Sequence, residues 1–273
     1  MYAYKLYVYN EKLTGWYDLT AHSESFSILR VDGLTPPPAT INTSTGGTLN
    51  GTFFNSSRLE QRNIVITISP HGDIETVRQN LYNLFPVNSE VQIRFKNANR
   101  DVTATGYIES FEGSLCDFPQ TFTISVICPR PFFNSHNVNT ITLPTQSPDQ
   151  SYLPNQGDIK NGVTMRIEIS QDLSHEAVRD LTITNTYTGE YIGFTAGFIH
   201  DDVIVISTIA GELRAELRRT SLNAPINLLK YLASGSSWIK LNYNVNRFTY
   251  STSNNTDAYV QIQISHIDQY IGV

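Results

Sequence analysis

Apolar and polar residues alternate over short stretches along most of the chain, with the two-residue period of a half-buried β-strand. The pattern is clearest near the carboxyl end, where Val260, Ile262 and Ile264 alternate with glutamine and serine. Similar runs, separated by residues that favour turns, cover 25–31, 62–69, 90–95, 103–111, 121–128, 140–143, 164–169, 181–184 and 202–206. The sequence therefore predicts a mainly β fold.

The opening run, residues 2–9, has the composition of a strand with two different faces. Its even positions form the more apolar face, and its odd positions are Ala3, Lys5, Tyr7 and Tyr9. Because tyrosine is enriched in the cores of protein interfaces, Tyr7 and Tyr9 are candidate subunit-interface residues. A partly solvated sheet face is the alternative interpretation of the same pattern.

One helix is predicted in the first half of the chain. Asp73 is a suitable N-cap, Glu75 favours the first turn, and Pro86 cannot continue a helix. Apolar residues recur between them at helical spacing, at Ile74, Val77, Leu81, Leu84 and Phe85. We expect a helix over about residues 73–85.

A domain boundary is predicted where Pro129 and Pro131 interrupt the strand pattern and a polar stretch begins. This gives an N-terminal domain over residues 1–133, β-sandwich-like with one helix, and a C-terminal domain over residues 134–273. The second domain contains short strands at regular spacing, which is typical of a β-sandwich.

Three consecutive prolines, residues 36–38, follow the segment Asp32–Thr35. Proline excludes both helix and central-strand pairing, so this segment should be a stiff, extended connection. It fits an edge loop, or an arm that reaches a neighbouring molecule.

The amino-acid composition and net charge exclude some classes of function. The 273 residues are 40% hydrophobic, which is enough for a folded chain. Charged residues make up 16%, against about 25% in typical domains, and neutral polar residues take their place. With 19 Lys+Arg against 25 Asp+Glu, the net charge is −6. No basic field is present to hold nucleic acid, so no specific nucleic-acid binding is expected.

The cysteines and the N-terminus indicate the cellular setting. Cys116 and Cys128 are too few for a disulfide framework and have no metal-site spacing, so we expect two buried thiols. The N-terminus has no signal-peptide pattern, and no apolar run reaches the length of a membrane span. We therefore expect a soluble protein that is made in the cytosol and has no membrane partner.

The sequence contains no nucleophile elbow, phosphate-binding loop, dinucleotide-binding glycine motif or zinc-protease motif. The closest approach to a metal site is His200-Asp201-Asp202, which fits a hairpin loop better. Glu109 and Glu112 lie three residues apart near the end of a strand, where we expect them to point to opposite faces. We expect no catalytic residue, cofactor or metal, and therefore no enzyme.

Several segments together carry a family resemblance. In the first half they are 32–37, 62–66, 75–82, 106–112 and 122–133, and in the second half 157–158, 201–208, 237–241 and 244–246. In this order they resemble the distal tail protein (Dit) family of long-tailed, siphovirus-type bacteriophages. Members of that family form the hub that joins the tail tube to the tail tip.

The resemblance implies a homohexameric ring whose N-terminal domains enclose a channel for DNA passage. The C-terminal domains would be galectin-like β-sandwiches that project outward and carry receptor-binding or baseplate proteins. The tail tube protein would lie above the ring and a tail-associated hub or lysin protein below it. The implied location is the virion, at the tail tip or baseplate.

Two other classes of function remain open. The first is a carbohydrate-binding module that contacts host cell-wall polysaccharide, with Trp16 or Trp238 stacked on a sugar ring. However, the galectin sugar-binding run His-x-Asn-x-Arg is not present, and Trp238 lies beside Ile239 in a strand that suggests core packing. The second is a tail-associated hydrolase, which would need an acid pair or a metal site.

Overall fold

The computed structural model describes residues 4–47, 50–113, 119–144, 151–170, 177–254 and 256–273. It confirms the mainly β class, with a single α-helix among the described residues. The chain splits into an N-terminal unit, Met1–His136 with Tyr270–Val273, and a C-terminal unit, Asn137–Gln269. The boundary drawn from sequence lies three residues earlier, and it assigned the last four residues to the other domain. None of the helices in the described ranges has the length and apolarity needed to cross a membrane.

The N-terminal unit is built on one antiparallel sheet. The strands of this unit are β1 Lys5–Tyr9, β2 Tyr17–Asp18, β3 Phe26–Asp32, β4 Ala39–Ser44, β5 Phe53–Leu59, β6 Arg62–Pro70, β7 Glu90–Lys96, β8 Asp101–Gly113, β9 Phe122–Cys128 and β10 Phe133–Ser135. The order of strands in the sheet is β2-β1-β7-β8-β9-β6-β3. β10 extends the sheet from β8. The alternation in β6 is as predicted, because Ile64, Ile66 and Ile68 are fully buried.

The helix α1, Ile74–Leu84, confirms the predicted one. Asp73 caps it by accepting hydrogen bonds from the backbone N–H and the hydroxyl of Thr76. The buried positions Val77, Leu81 and Leu84 join the core of this unit. At the other end, the amide of the buried Asn10 donates to the carbonyls of residues 83 and 84, which satisfies two C-terminal acceptors.

The C-terminal unit is a β-sandwich. The strands of this unit are β11 Asn139–Thr142, β12 Ser151–Asn155, β13 Thr164–Ile169, β14 Val178–Arg179, β15 Thr182–Asn185, β16 Glu190–Gly193, β17 Gly197–Phe198, β18 Val203–Ser207, β19 Arg214–Arg218, β20 Ile226–Asn227, β21 Asn244–Ser251 and β22 Val260–His266. One sheet has the order β11-β22-β13-β18-β19-β20, and the other has the order β12-β21-β15-β16. Buried residues from both sheets form one apolar cluster, so the core lies between the sheets.

Short elements complete the chain. The 3₁₀ turns are Leu19–Ala21, Leu229–Tyr231 and Asp257–Tyr259. The last strand, β23 Gln269–Tyr270, pairs with β10, and Tyr270 belongs to the N-terminal unit. The final residues thus return to the unit in which the chain begins.

Candidate assembly surfaces

A two-stranded arm, β4 with β5, stands apart from the main sheet of the N-terminal unit. The two strands pair with each other and with no other described strand. Every residue of β5 is exposed, and so is nearly all of β4. An isolated two-stranded hairpin is at best marginally stable in water. The arm therefore has the composition and exposure of an element that is covered by a partner.

One face of the arm groups large apolar side chains, whereas the other is mostly polar and also carries Phe53. A bulge near Asn55 pairs Thr43 with Phe54, which brings Phe54 to the same face as Ile41 and Leu59. Ile41 is 62% exposed and Phe54 is 66% exposed. On the opposite face, the amide of Asn42 donates to the hydroxyl of Ser56. Large apolar side chains grouped on one exposed face indicate a contact surface.

The root of the arm is fixed by the buried guanidinium of Arg62, which is 2% exposed. It donates to the carbonyls of Gly33, of Thr35 at 2.7 Å, of Pro131 at 2.9 Å and of Ile271 at 2.5 Å. We call Arg62 and these four carbonyls the arm clamp. Arg62 forms no ion pair with a described carboxylate, and burial lowers the pKa of its guanidinium. Backbone dipoles therefore replace the water around this charge.

Glycine is required at the arm root. Gly33 has φ +81°, and a Cβ there would lie 2.0 Å from the carbonyl oxygen of Asn63. Any other side chain would push β3 away from β6 at the point where the arm leaves the sheet. The proline segment that follows leads directly into β4, at the base of the arm.

The C-terminal tail, residues 270–273, lies against the same root. The backbone N–H of Val273 donates to the carbonyl of Leu34 at 3.0 Å. Arg100 lies 4.4 Å from the centre of the Tyr270 ring and donates to the carbonyl of Gly272. These contacts explain why the last residues belong to the N-terminal unit.

The predicted interface residues Tyr7 and Tyr9 are half-buried on the outer face of β1. The guanidinium of Arg94 lies 5.3 Å from the Tyr7 ring centre, and the Trp16 ring lies 5.8 Å from that of Tyr9. Arg94 also forms two hydrogen bonds of 2.7 Å with Asp101, which lower the pKa of that carboxyl. Both tyrosines thus lie in an ordered cluster of aromatic and charged side chains.

The residues considered as metal ligands do not form a metal site in the described part of the chain. Among the residues that the structure describes, no group of three or more His, Cys, Asp or Glu side chains is placed to hold a metal. Asp202 is buried, accepts two hydrogen bonds from Arg219 at 2.7 and 2.8 Å, and accepts a third from the backbone of Ile199. It therefore fixes its own loop. Cys116 lies outside the described residues.

The expectation that Glu109 and Glu112 point to opposite faces of a strand is wrong. A bulge between Ile108 and Ser110 shifts the register of β8 against β9. Glu109 accepts a hydrogen bond from the Ser125 hydroxyl, while Glu112 lies opposite Thr123. Since residues 123 and 125 share one face of β9, both acids lie on that face.

The tryptophan considered for sugar stacking, Trp238, is half-buried and packs against the core of the C-terminal unit. Sequence reasoning missed Arg62 and the tail contacts. The available signal was that Arg62 is in phase with the apolar face of its strand, Ile64, Ile66 and Ile68, where a charge needs buried acceptors.

Comparison with known proteins identifies the fold. No family model and no curated protein matches the chain. It is similar to the crystal structure of the Dit protein of phage SPP1, described as a paradigm of the hub adsorption apparatus in phages that infect Gram-positive bacteria. The TM-score is 0.67 at 16% identity, over 96% of this chain and 98% of that one.

Two structures of the phage P2 baseplate in its activated conformation, with calcium and with strontium, are also similar, with TM-scores of 0.48 and 0.47. Each has 10% identity, over 96% of this chain and 98% of the matched chain. The comparison with the SPP1 Dit protein, by itself, shows that the chain has the fold of that protein. This confirms, at the level of the fold, the resemblance to distal tail proteins.

Proposed function

We propose that this protein is a structural component of a bacteriophage tail tip that assembles with copies of itself into a closed ring. The observation that carries the proposal is the arm, an exposed hairpin with a fixed root and an apolar face. An arm on one surface that contacts a different surface of the next copy makes a head-to-tail interface, which closes into a ring when the rotation allows. The similarity in fold to a phage hub protein supports the same role.

Most finer features of the proposal follow the family resemblance, in which the ring is homohexameric and surrounds a channel for DNA. The placement of Tyr7 and Tyr9 in the subunit interface comes instead from their residue type and their position on β1. The C-terminal unit is a galectin-like sandwich that carries receptor-binding or baseplate proteins. The tail tube protein and a tail-associated hub or lysin protein contact the ring, and the protein is located in the virion.

The acidic composition suits a DNA conduit. Six copies with −6 each carry a formal charge of about −36. A polyanion that passes through such a ring is repelled rather than retained. The proposed role is therefore passage of DNA without specific binding and without catalysis.

The arm provides the test. Purified protein should form a six-fold annulus of about 184 kDa, six times 30.7 kDa, in light scattering and negative-stain microscopy. The double variant Ile41→Ser/Phe54→Ser should be monomeric with an unchanged circular dichroism spectrum. The control variant Leu213→Ser changes a side chain that is 49% exposed in the C-terminal unit, and it should assemble like the wild type.

A second measurement covers the case in which ring closure needs a partner. Particles of the phage that encodes this chain should be labelled at the distal end of the tail by an antibody against it. The proposal fails if the label lies elsewhere, or if the arm variant assembles as well as the wild type does.

The alternative function, a carbohydrate-binding module, receives no support at Trp238 because that ring packs on the core. A different surface of the same unit carries exposed aromatic rings and is considered next.

A further inference from the structure

The outer face of the four-stranded sheet in the C-terminal unit carries a strip of tyrosines, cations and small apolar residues. Strand register places Tyr152 opposite Arg247 and Pro154 opposite Val245. All four are exposed, whereas Leu153 and Asn246, which alternate with them, are buried. Because residues two apart in a strand share a face, these four side chains form one surface. With Tyr243 and Lys160 at its end, we call this surface the tyrosine strip.

Each end of the strip contains a tyrosine paired with a cation. The guanidinium carbon of Arg247 lies 5.1 Å from the Tyr152 ring centre, and the Lys160 ammonium lies 5.5 Å from that of Tyr243. The two rings are 53% and 48% exposed, so both have free surface despite the cation. Tyr243 directly precedes β21, and Arg247 lies within that strand. The strip thus repeats the same pair of chemical groups at its two ends.

The strip has two cations without a matching acid. Throughout the described part of the chain, neither Lys160 nor Arg247 forms an ion pair with a carboxylate, whereas the exposed Arg30 pairs with Asp32 and Arg166 pairs with Glu168. The protein as a whole has a net charge of −6. A local positive surface on an acidic protein is complementary to an anionic ligand.

We propose that the tyrosine strip binds an anionic polysaccharide. The apolar C–H face of a sugar ring packs on an exposed aromatic ring, and the phenolic hydroxyls are available to sugar hydroxyls. The acidic groups of the polymer pair with Arg247 and Lys160. An acidic polypeptide would satisfy the two cations but offers no repeating ring to stack on the tyrosines. The proposal goes beyond the tail-tip role and does not depend on ring formation.

The test compares polymers that separate charge from sugar. The full-length protein is measured by biolayer interferometry against dextran sulfate, polygalacturonate, neutral dextran and poly-glutamate at low salt. We expect both anionic polysaccharides to bind, neutral dextran not to bind, and poly-glutamate to bind at least about tenfold more weakly. Binding should weaken as salt rises, because the ion pairs are exposed.

Amino-acid substitutions test whether the polysaccharide binds at the tyrosine strip. Tyr152→Leu and Arg247→Gln should each weaken polysaccharide binding by about tenfold. The matched control is Tyr82→Leu in the N-terminal unit, since Arg78 also lies 5.1 Å from the Tyr82 ring but is paired with Glu75. The control should leave binding unchanged.

Three results would overturn the proposal. The first is that neither anionic polysaccharide binds. The second is that poly-glutamate binds as tightly as they do while Tyr152→Leu has no effect, which would indicate recognition of charge on an acidic protein. The third is that Tyr82→Leu weakens binding as much as Tyr152→Leu.

Discussion

Replacing Arg62 with methionine removes the donor group of the arm clamp while keeping most of the side-chain volume. The guanidinium is buried, donates to four carbonyls and lies 4.2 Å from the centre of the Phe133 ring. Methionine leaves those carbonyls facing an apolar group. The carbonyls belong to the arm root, the connection from β9 to β10, and the C-terminal tail, so all three segments lose a shared anchor.

The magnitude follows from two opposing contributions. A hydrogen bond to a charged group contributes about 1.5–3 kcal/mol, which gives about 6–12 kcal/mol for four. The substitution also removes the cost of burying a charge, and this offsets several kcal/mol of that loss. We expect the free energy of unfolding of the N-terminal unit to fall by about 3–5 kcal/mol. Arg62→Lys keeps the charge but has three donors for four carbonyls, so we expect a loss of about 1–3 kcal/mol.

The assay must report on one unit at a time. The chain has two tryptophans, Trp16 in the N-terminal unit and Trp238 in the C-terminal unit. In a Trp238→Phe background, urea unfolding followed by fluorescence therefore reports on the N-terminal unit. The control is Arg30→Met, whose side chain is 72% exposed and pairs with Asp32, and it should change the free energy by less than about 0.5 kcal/mol.

Two results would refute this reasoning. One is a loss of less than about 1 kcal/mol for Arg62→Met, and the other is an equal loss for Arg30→Met. Deleting residues 270–273 supplies an internal check. Since Arg62 and the tail share a hydrogen bond, their effects should be non-additive.

Two further predictions concern buried titratable groups. Burial lowers the pKa of His266 despite its hydrogen bond to Asp268, so the folded state binds this proton less readily than the unfolded state. The free energy of unfolding of the C-terminal unit, followed by Trp238 fluorescence in a Trp16→Phe background, should fall as pH drops below about 6.5. His266→Gln should flatten that fall, and parallel profiles would contradict the assignment. Burial raises the pKa of the Cys128 thiol to about 11, even though Arg62 lies nearby. In a Cys116→Ser background a thiol reagent at about pH 8 should label Cys128 only as fast as the protein unfolds, and rapid labelling in native buffer would show that the thiol is accessible.

Much of the fold was predictable because its signals are local. The helix starts at a capping aspartate and stops before a proline, and both signals lie within the segment that they define. The alternation in β22 likewise identified Val260, Ile262 and Ile264 as core residues, and all three are fully buried. In such segments, periodicity and burial lead to the same assignment.

The candidate site was less predictable because it depends on contacts between distant segments. Arg62 contacts Gly33, Pro131 and Ile271, and no local pattern links these positions. The separation of the arm from the main sheet is also a tertiary property, since the proline segment fitted an edge loop equally well. Strict alternation predicts that Glu109 and Glu112 point to opposite faces of β8. The extra residue of the bulge instead places both side chains on one face.

The return of residues 270–273 to the N-terminal unit makes the C-terminal unit an insertion between two points of a single fold. Near the ends of that insertion, Asn139 lies directly opposite His266 in neighbouring strands, so its entry and exit are adjacent. Recombination at residues 136–137 and 269–270 could therefore exchange the whole insertion for another domain with adjacent ends. The C-terminal unit would then diversify independently of the N-terminal unit, whose sequence would stay unchanged.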